Sequence, residues 1–167
     1  MAVRGARQAA QVRPGLSQRQ LLALRGASFG ALVMLIVQFA IGTAVNLYIT
    51  VPAADKASGV LPAVGRALSK GPAALAVHTG LGLLLILAAI GLVVRALRAR
   101  HAAVLVLSVI GLLAIVAAAV SGARFVSTGA GGASLAMALA TAAGLLCYAI
   151  SLFVLGNARP RAADGSA

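Results

Sequence analysis

Four long apolar runs constrain the fold of this chain more than any other feature. Each run contains 21 to 24 residues and no Asp, Glu, Lys or Arg. A helix of about 20 apolar residues is long enough to cross the hydrocarbon layer of a bilayer. The sequence therefore predicts an integral membrane protein with four spans, which are 26–49, 72–94, 102–122 and 133–155.

The four runs occupy more than half of the 167 residues, so only short connections remain between them. The remaining residues are too few for a separate soluble domain, and we expect one transmembrane domain over 26–155. A basic segment, 1–25, precedes this domain and a tail, 156–167, follows it. The short link from Arg95 to His101 makes the second and third helices antiparallel neighbours. The predicted fold is all-α, an up-down-up-down four-helix membrane bundle.

The basic residues predict how the chain is oriented. The net charge is +12, and ten of the fourteen Lys and Arg residues lie before the first span, between the second and third, or after the fourth. Positive charge accumulates in cytoplasmic loops, so we predict that both termini are cytoplasmic. The excess of Arg over Lys, with abundant Ala and Gly, suggests a bacterial plasma membrane. No aromatic residues interleave with the charges, which argues against nucleic-acid binding.

The start of the chain has two interpretations. The first span could be a secretory signal, but a signal peptide has an apolar region of about 7 to 15 residues, so we favour an uncleaved helix. Ahead of it, Ser17 and Gln20 have the spacing of a capping box, which predicts a short surface helix leading into the first span.

Small residues indicate where the membrane helices approach one another or a partner. Helices in lipid associate where small side chains allow close contact. We expect the bilayer to surround the protein, and a membrane-protein partner or a second copy could also pack against it. The small-residue faces are formed by Gly26 and Gly30, by Ala114, Ala118 and Gly122, and by Ala136, Ala140 and Gly144.

Polar residues within the spans are the best pointers to function, because they are costly in hydrocarbon. Gln38, Gly42 and Asn46 recur every four residues and share one face of the first helix. His78 lies about two turns into the second span, on the same face as Gly82. The topology predicts that six residues converge in the outer half of the bundle: Asn46, His78, Thr79, Arg124, Ser134 and Met137.

His78 has two interpretations. The favoured one is structural, with the imidazole hydrogen-bonded to Asn46 or to a helix carbonyl. The other is ligation of haem iron or a metal. We expect Gln38 and Asn46 to form interhelical hydrogen bonds and Arg124 to extend to lipid headgroups, or in a haem protein to pair with a propionate. Candidate zinc ligands are too few, so no metal site is predicted.

The segment Ala-Val-His-Thr-Gly-Leu-Gly-Leu-Leu-Leu at 76–85 and the segment Ser-Leu-Ala-Met-Ala-Leu-Ala at 134–140 open the second and fourth spans. With four spans and a cytoplasmic N-terminus, the chain resembles one four-helix half of the haem A synthase family. That resemblance implies that His78 is a haem ligand. Met137 stands about where the family has a second His, and Met can serve as an axial ligand. The first outer loop of that family carries an acidic residue and often a Cys pair; this chain has Asp55 and no Cys there, so the resemblance implies the fold and haem binding rather than synthase activity.

The sequence therefore supports two functions. It contains no recognisable set of catalytic residues and no acidic residue within a span, so we favour a non-catalytic accessory or interaction subunit of the membrane. The alternative is a haem-b-binding protein for electron transfer or haem handling, with His78 and Met137 as axial ligands and Arg124 near a propionate.

Overall fold

The computed structural model describes residues 16–48 and 59–158, and these residues form five α-helices. Four of the helices are long and apolar enough to span a membrane, and the fifth is short. The predicted all-α four-helix fold is confirmed, and the chain is a small multi-pass membrane protein. Six residues that the sequence analysis used lie outside the described residues. They are Asp55 and five of the basic residues that predict orientation: Arg4, Arg7, Arg13, Arg159 and Arg161. The helices are α1 Gln18–Tyr48, α2 Val60–Ser69, α3 Ala73–Ala99, α4 Ala102–Thr128 and α5 Gly131–Gly156.

The long helices extend beyond the apolar runs. The capping box is present: the Ser17 N–H donates to Gln20 Oε1 at 3.0 Å, and the Gln20 N–H donates to Ser17 Oγ at 3.2 Å. This cap begins α1 itself, so the expected surface helix is continuous with the first span. Helix α3 continues past the apolar run to Ala99, because Arg is a good helix former and its long stem can reach the polar region of the bilayer.

His101 begins α4 by capping it. Its Nδ1 accepts a hydrogen bond from the Val104 N–H at 3.4 Å, and Arg100 just before it adopts a left-handed conformation with φ 53°. The left-handed residue ends α3, and the imidazole satisfies one of the unpaired amides at the start of the next helix.

Helix α2 was missed by the sequence analysis, which treated 60–69 as part of a loop. Its spacing carries the signal, because Val60, Ala63, Val64 and Ala67 recur as one face of an amphipathic helix. Pro62 is tolerated since it lies in the first turn, where its missing N–H is not needed. Ala63 and Ala67 are buried, and α2 packs across the ends of α3 and α4.

The four long helices form a closed ring in which each one packs on two antiparallel neighbours. Helix α1 contacts α3 and α5, and α4 contacts the same two helices on the other side. Three hydrogen bonds show that α1 starts where α5 ends: the Arg25 guanidinium donates two to the Leu155 carbonyl and one to the Gly156 carbonyl. We call this the Arg25 end of the bundle, and the other, which carries α2, the α2 end.

The two ends of the ring are filled differently. Apolar side chains fill the Arg25 end and the middle, where Leu24, Leu92 and Leu155 are almost completely buried. Two of the hydroxyls buried among them bond to their own helices, Ser108 Oγ to the Val104 carbonyl at 2.7 Å and Ser151 Oγ to the Cys147 carbonyl at 2.9 Å, whereas Ser28 Oγ has no partner among the described residues. At the α2 end the apolar core stops at Leu35, and a cavity takes its place.

Two of the three predicted small-residue faces pack inside the bundle. A methyl group at Gly144 would lie 3.4 Å from Leu35 and 3.9 Å from Ala114, and one at Gly122 would lie 3.1 Å from the sulfur of Met137. Gly26 and Gly30 differ, because nothing among the described residues lies within 4 Å of a Cβ added there. The face of α1 at its start is therefore not used within the described bundle.

Candidate functional site

A cavity of about 300 Å³ lies between the four long helices at the α2 end. Leu35, Leu85 and Ile115 belong both to the buried core and to the lining, so they form its floor. Ala63 and Ala67 of α2 cover it from above. Residues of α1, α3, α4 and α5 supply the walls, which are mostly apolar. The polar side chains of the lining are Gln38, Thr43, Asn46, His78, Thr79, Ser134 and Thr141.

Gln38 and His78 join α1 to α3 across one wall of the cavity. Gln38 Nε2 donates to the His78 backbone carbonyl at 2.7 Å and lies 3.4 Å from His78 Nε2. The carbonyl can only accept, so the amide nitrogen is the donor at this contact. The sequence analysis placed both residues on interior faces but expected Asn46 or a carbonyl as the partner of His78; in the structure the partner is Gln38.

Two glycines make this contact sterically feasible. A Cβ at Gly42 of α1 would lie 2.7 Å from His78 Cε1, and a Cβ at Gly82 of α3 would lie 3.1 Å from Gln38 Nε2. Each helix therefore presents a polar residue and, four positions later, a glycine that receives the polar residue of the other helix. We call these four residues the Gln38–His78 clasp. The sequence shows the same spacing in both helices, a polar residue followed four positions later by glycine.

The clasp contains two buried atoms without a hydrogen-bond partner among the described residues, His78 Nδ1 and Gln38 Oε1. Because His78 Nε2 faces an amide donor, it is assigned as the acceptor, and Nδ1 then carries the ring hydrogen. The clasp thus offers one unfilled donor and one unfilled acceptor. Leaving such a group unpaired in a buried site costs about 1–3 kcal/mol, so a molecule that satisfied both would bind favourably.

The predicted site residues divide into two groups. Asn46, Thr79, Ser134 and Met137 all line the cavity, although Asn46 is also exposed at the surface. Arg124 is exposed and is not part of the lining; its carbonyl accepts from the Ser127 and Thr128 hydroxyls near the end of α4. The structure therefore brings five of the six predicted residues to one cavity and leaves Arg124 outside it.

The residues expected to hold haem, His78, Met137 and Arg124, are poorly arranged for it in this structure. His78 and Met137 line the same cavity, but His78 Nε2 faces Gln38 and its neighbouring Cε1 packs towards Gly42. Ligation through Nε2 would require the clasp to open. Arg124, the residue expected to pair with a propionate, lies outside the cavity. Within the described part of the chain, no three His, Cys, Asp or Glu residues are grouped so that they could hold a metal ion.

Helix α2 and the hydroxyls of Thr43 and Thr141 were not among the predicted parts of the site. Helix α2 covers the cavity, and the apolar spacing of 60–67 was the signal that could have revealed it. The hydroxyl of Thr141 lies in the wall and donates to the Met137 carbonyl at 2.8 Å, the i−4 bond that Thr commonly makes within helices. No family model, curated protein or solved structure matches this chain.

Proposed function

We propose that this chain is a non-catalytic accessory protein of the membrane whose cavity at the α2 end binds a small, membrane-soluble ligand. The observation that supports this most is the clasp beside a cavity of about 300 Å³, which is within the range of small-molecule sites. Ligand pockets are typically apolar with a few polar groups that orient the ligand, and this cavity has that composition. A partner protein or second copy would have open space at Gly26 and Gly30.

A cavity-filling substitution tests this function. Ala118 lines the cavity, whereas its neighbour Ala117 is exposed and does not. Mass spectrometry of protein purified in a mild detergent should detect a stoichiometric small molecule with the wild type and with Ala117→Phe, but not with Ala118→Phe. Retention of the same molecule by Ala118→Phe, or no bound molecule on the wild type, would contradict the proposal. Proteins that co-purify with Ala117→Phe and the wild type would identify the partner of an accessory subunit.

The second candidate function is haem b binding for electron transfer or haem handling. It is favoured by one observation, the presence of His78 and Met137 in the same cavity. Visible absorption spectra of purified protein, oxidised and then reduced with dithionite, test it beside His78→Ala. A Soret band with reduced α and β bands that disappears in the variant would support haem binding. Colourless protein after expression with added haem would count against it.

A further inference from the structure

We infer that the cavity binds an uncharged lipid whose headgroup carries a hydroxyl, such as a diacylglycerol or a long-chain prenol. This inference rests on the proposed function and names the ligand class for the same site. Three observations carry it: the charge of the lining, the depth of the clasp, and the unfilled donor and acceptor at Gln38 and His78.

Among the residues that the structure describes, 16–48 and 59–158, no Lys, Arg, Asp or Glu lines the cavity. A phosphate or ammonium headgroup in this space would lose its water without gaining an opposite charge, which is strongly unfavourable in an apolar environment. Arg124, the cation that the sequence analysis placed near this site, is exposed outside the cavity. The site therefore selects against phospholipids and in favour of uncharged molecules.

The clasp lies inside the bundle at membrane depth. His78 follows Pro72, the N-cap of α3, by six residues, which corresponds to about 9 Å along a helix. The lining also reaches exposed side chains, Phe39 at 48% and Leu47 at 67% exposure, so the cavity opens at the lipid-facing surface of α1. A ligand with its polar group at the clasp could extend an apolar tail through this opening, which favours a lipid over a water-soluble metabolite.

A hydroxyl group complements the unpaired donor and acceptor of the clasp. It can accept from His78 Nδ1–H and donate to Gln38 Oε1 at once, whereas a carbonyl or an ether can only accept. Both atoms are covered in the present packing, so this binding mode, like haem ligation through His78 Nε2, requires the clasp to open, with the Gln38 and His78 side chains turning towards the cavity. The ligand's oxygen then satisfies both atoms that lack partners.

Three dioctanoyl lipids that differ only at one position test this inference. Delipidated protein in detergent is heated with dioctanoylglycerol, with dioctanoyl phosphatidate, or with the acetyl ester of dioctanoylglycerol. A ligand that binds only the folded state raises the unfolding temperature as its concentration increases. We expect a saturable rise with dioctanoylglycerol and little or none with the other two. A fourth titration with farnesol distinguishes the two lipid classes. Tighter binding of dioctanoylglycerol indicates a diacylglycerol, and tighter binding of farnesol indicates a prenol.

Variants connect the binding to the clasp. Gln38→Met keeps the length of the side chain but removes both its acceptor and the amide nitrogen that donates to the His78 carbonyl, and it should weaken dioctanoylglycerol binding at least about tenfold. Ala118→Phe should abolish dioctanoylglycerol binding, while Ala117→Phe should not. If Gln38→Met does not fold, this pair of variants still tests whether the lipid binds in the cavity. Equal stabilisation by the phosphatidate or the acetyl ester, or undiminished binding by Ala118→Phe, would overturn the inference.

The two proposals can fail separately. If Ala118→Phe loses a co-purifying molecule but neither dioctanoylglycerol nor farnesol binds the wild type, the cavity remains a ligand site and the hydroxyl-lipid assignment is wrong. If the wild type carries no molecule and none of the four lipids stabilises it, both proposals fail.

Discussion

Glycines in this bundle differ sharply in what surrounds them, and two of them create the space for the Gln38–His78 clasp. At Gly42 an added methyl group would lie 2.7 Å from an imidazole carbon, closer than side chains tolerate. At Gly82 it would lie 3.1 Å from the amide nitrogen at the far end of Gln38, which can retreat. At Gly91 of the same helix nothing among the described residues lies within 4 Å. The same substitution therefore has different physical consequences at the three positions.

Replacement of these glycines by alanine should destabilise the protein most at Gly42, less at Gly82 and least at Gly91. Gly42→Ala should destabilise the protein most, by about 1–3 kcal/mol, because overpacking displaces the His78 ring. Gly82→Ala should cost less, and Gly91→Ala should be neutral or stabilising, since Ala favours helix by about 1 kcal/mol over Gly. Reversible unfolding in mixed micelles measures the three free energies. Equal stability of Gly42→Ala and Gly91→Ala would show that the clasp is not packed as described.

At the scale of helices, Arg25 ties the start of α1 to the end of α5. Its guanidinium donates to the carbonyls of Leu155 and Gly156, which are among the last carbonyls of α5; the Leu155 carbonyl also accepts from the Ala158 N–H at 3.2 Å, beyond the end of the helix. A cation there also interacts favourably with the negative end of the helix dipole. The sequence analysis used Arg25 only as one of the charges that predict orientation.

Arg25→Met should fray the last turn of α5 while leaving the rest of the bundle folded. Hydrogen bonds to a charged group contribute about 1.5–3 kcal/mol, so amide exchange in 150–158 should be faster by about tenfold or more. Hydrogen–deuterium exchange in micelles measures this, with Arg19→Met as control because Arg19 is exposed on the same helix. Unchanged exchange in Arg25→Met would mean that the contact contributes nothing to the end of α5.

The four long helices could be predicted from the sequence because uncharged apolar length is a property of each segment alone. Which interior faces meet could be predicted in part: four-residue spacing placed Gln38, Gly42 and Asn46 on one face of α1. The register between helices could not be predicted. Whether His78 meets Gln38 or Asn46 is a shift of about two helical turns, and packing across the whole α1–α3 contact determines it. The short α2 was missed because its ten residues include Arg66 and are too few to form an uncharged apolar run, although they form a clear amphipathic face.

For the whole molecule, the charges near the two ends of the bundle predict which side of the membrane each end faces. The excess of basic residues near the start of α1 and between α3 and α4 predicts that the Arg25 end is cytoplasmic and that the cavity and α2 face outward. This orientation determines from which leaflet a ligand would enter. An outward cavity draws on the outer leaflet, which lies close to its opening beside Leu47.

Labelling single cysteines in intact cells tests the orientation. The native Cys147 is buried, and Cys147→Ala provides the background in which Ser69→Cys marks the α2 end and Ala103→Cys marks the Arg25 end; both positions are exposed. A membrane-impermeant maleimide should label Ser69→Cys directly and Ala103→Cys only after the cells are permeabilised. The opposite pattern would place the cavity on the cytoplasmic side, because the antiparallel ring keeps α2 and the cavity at the same end. The ligand would then have to come from the inner leaflet.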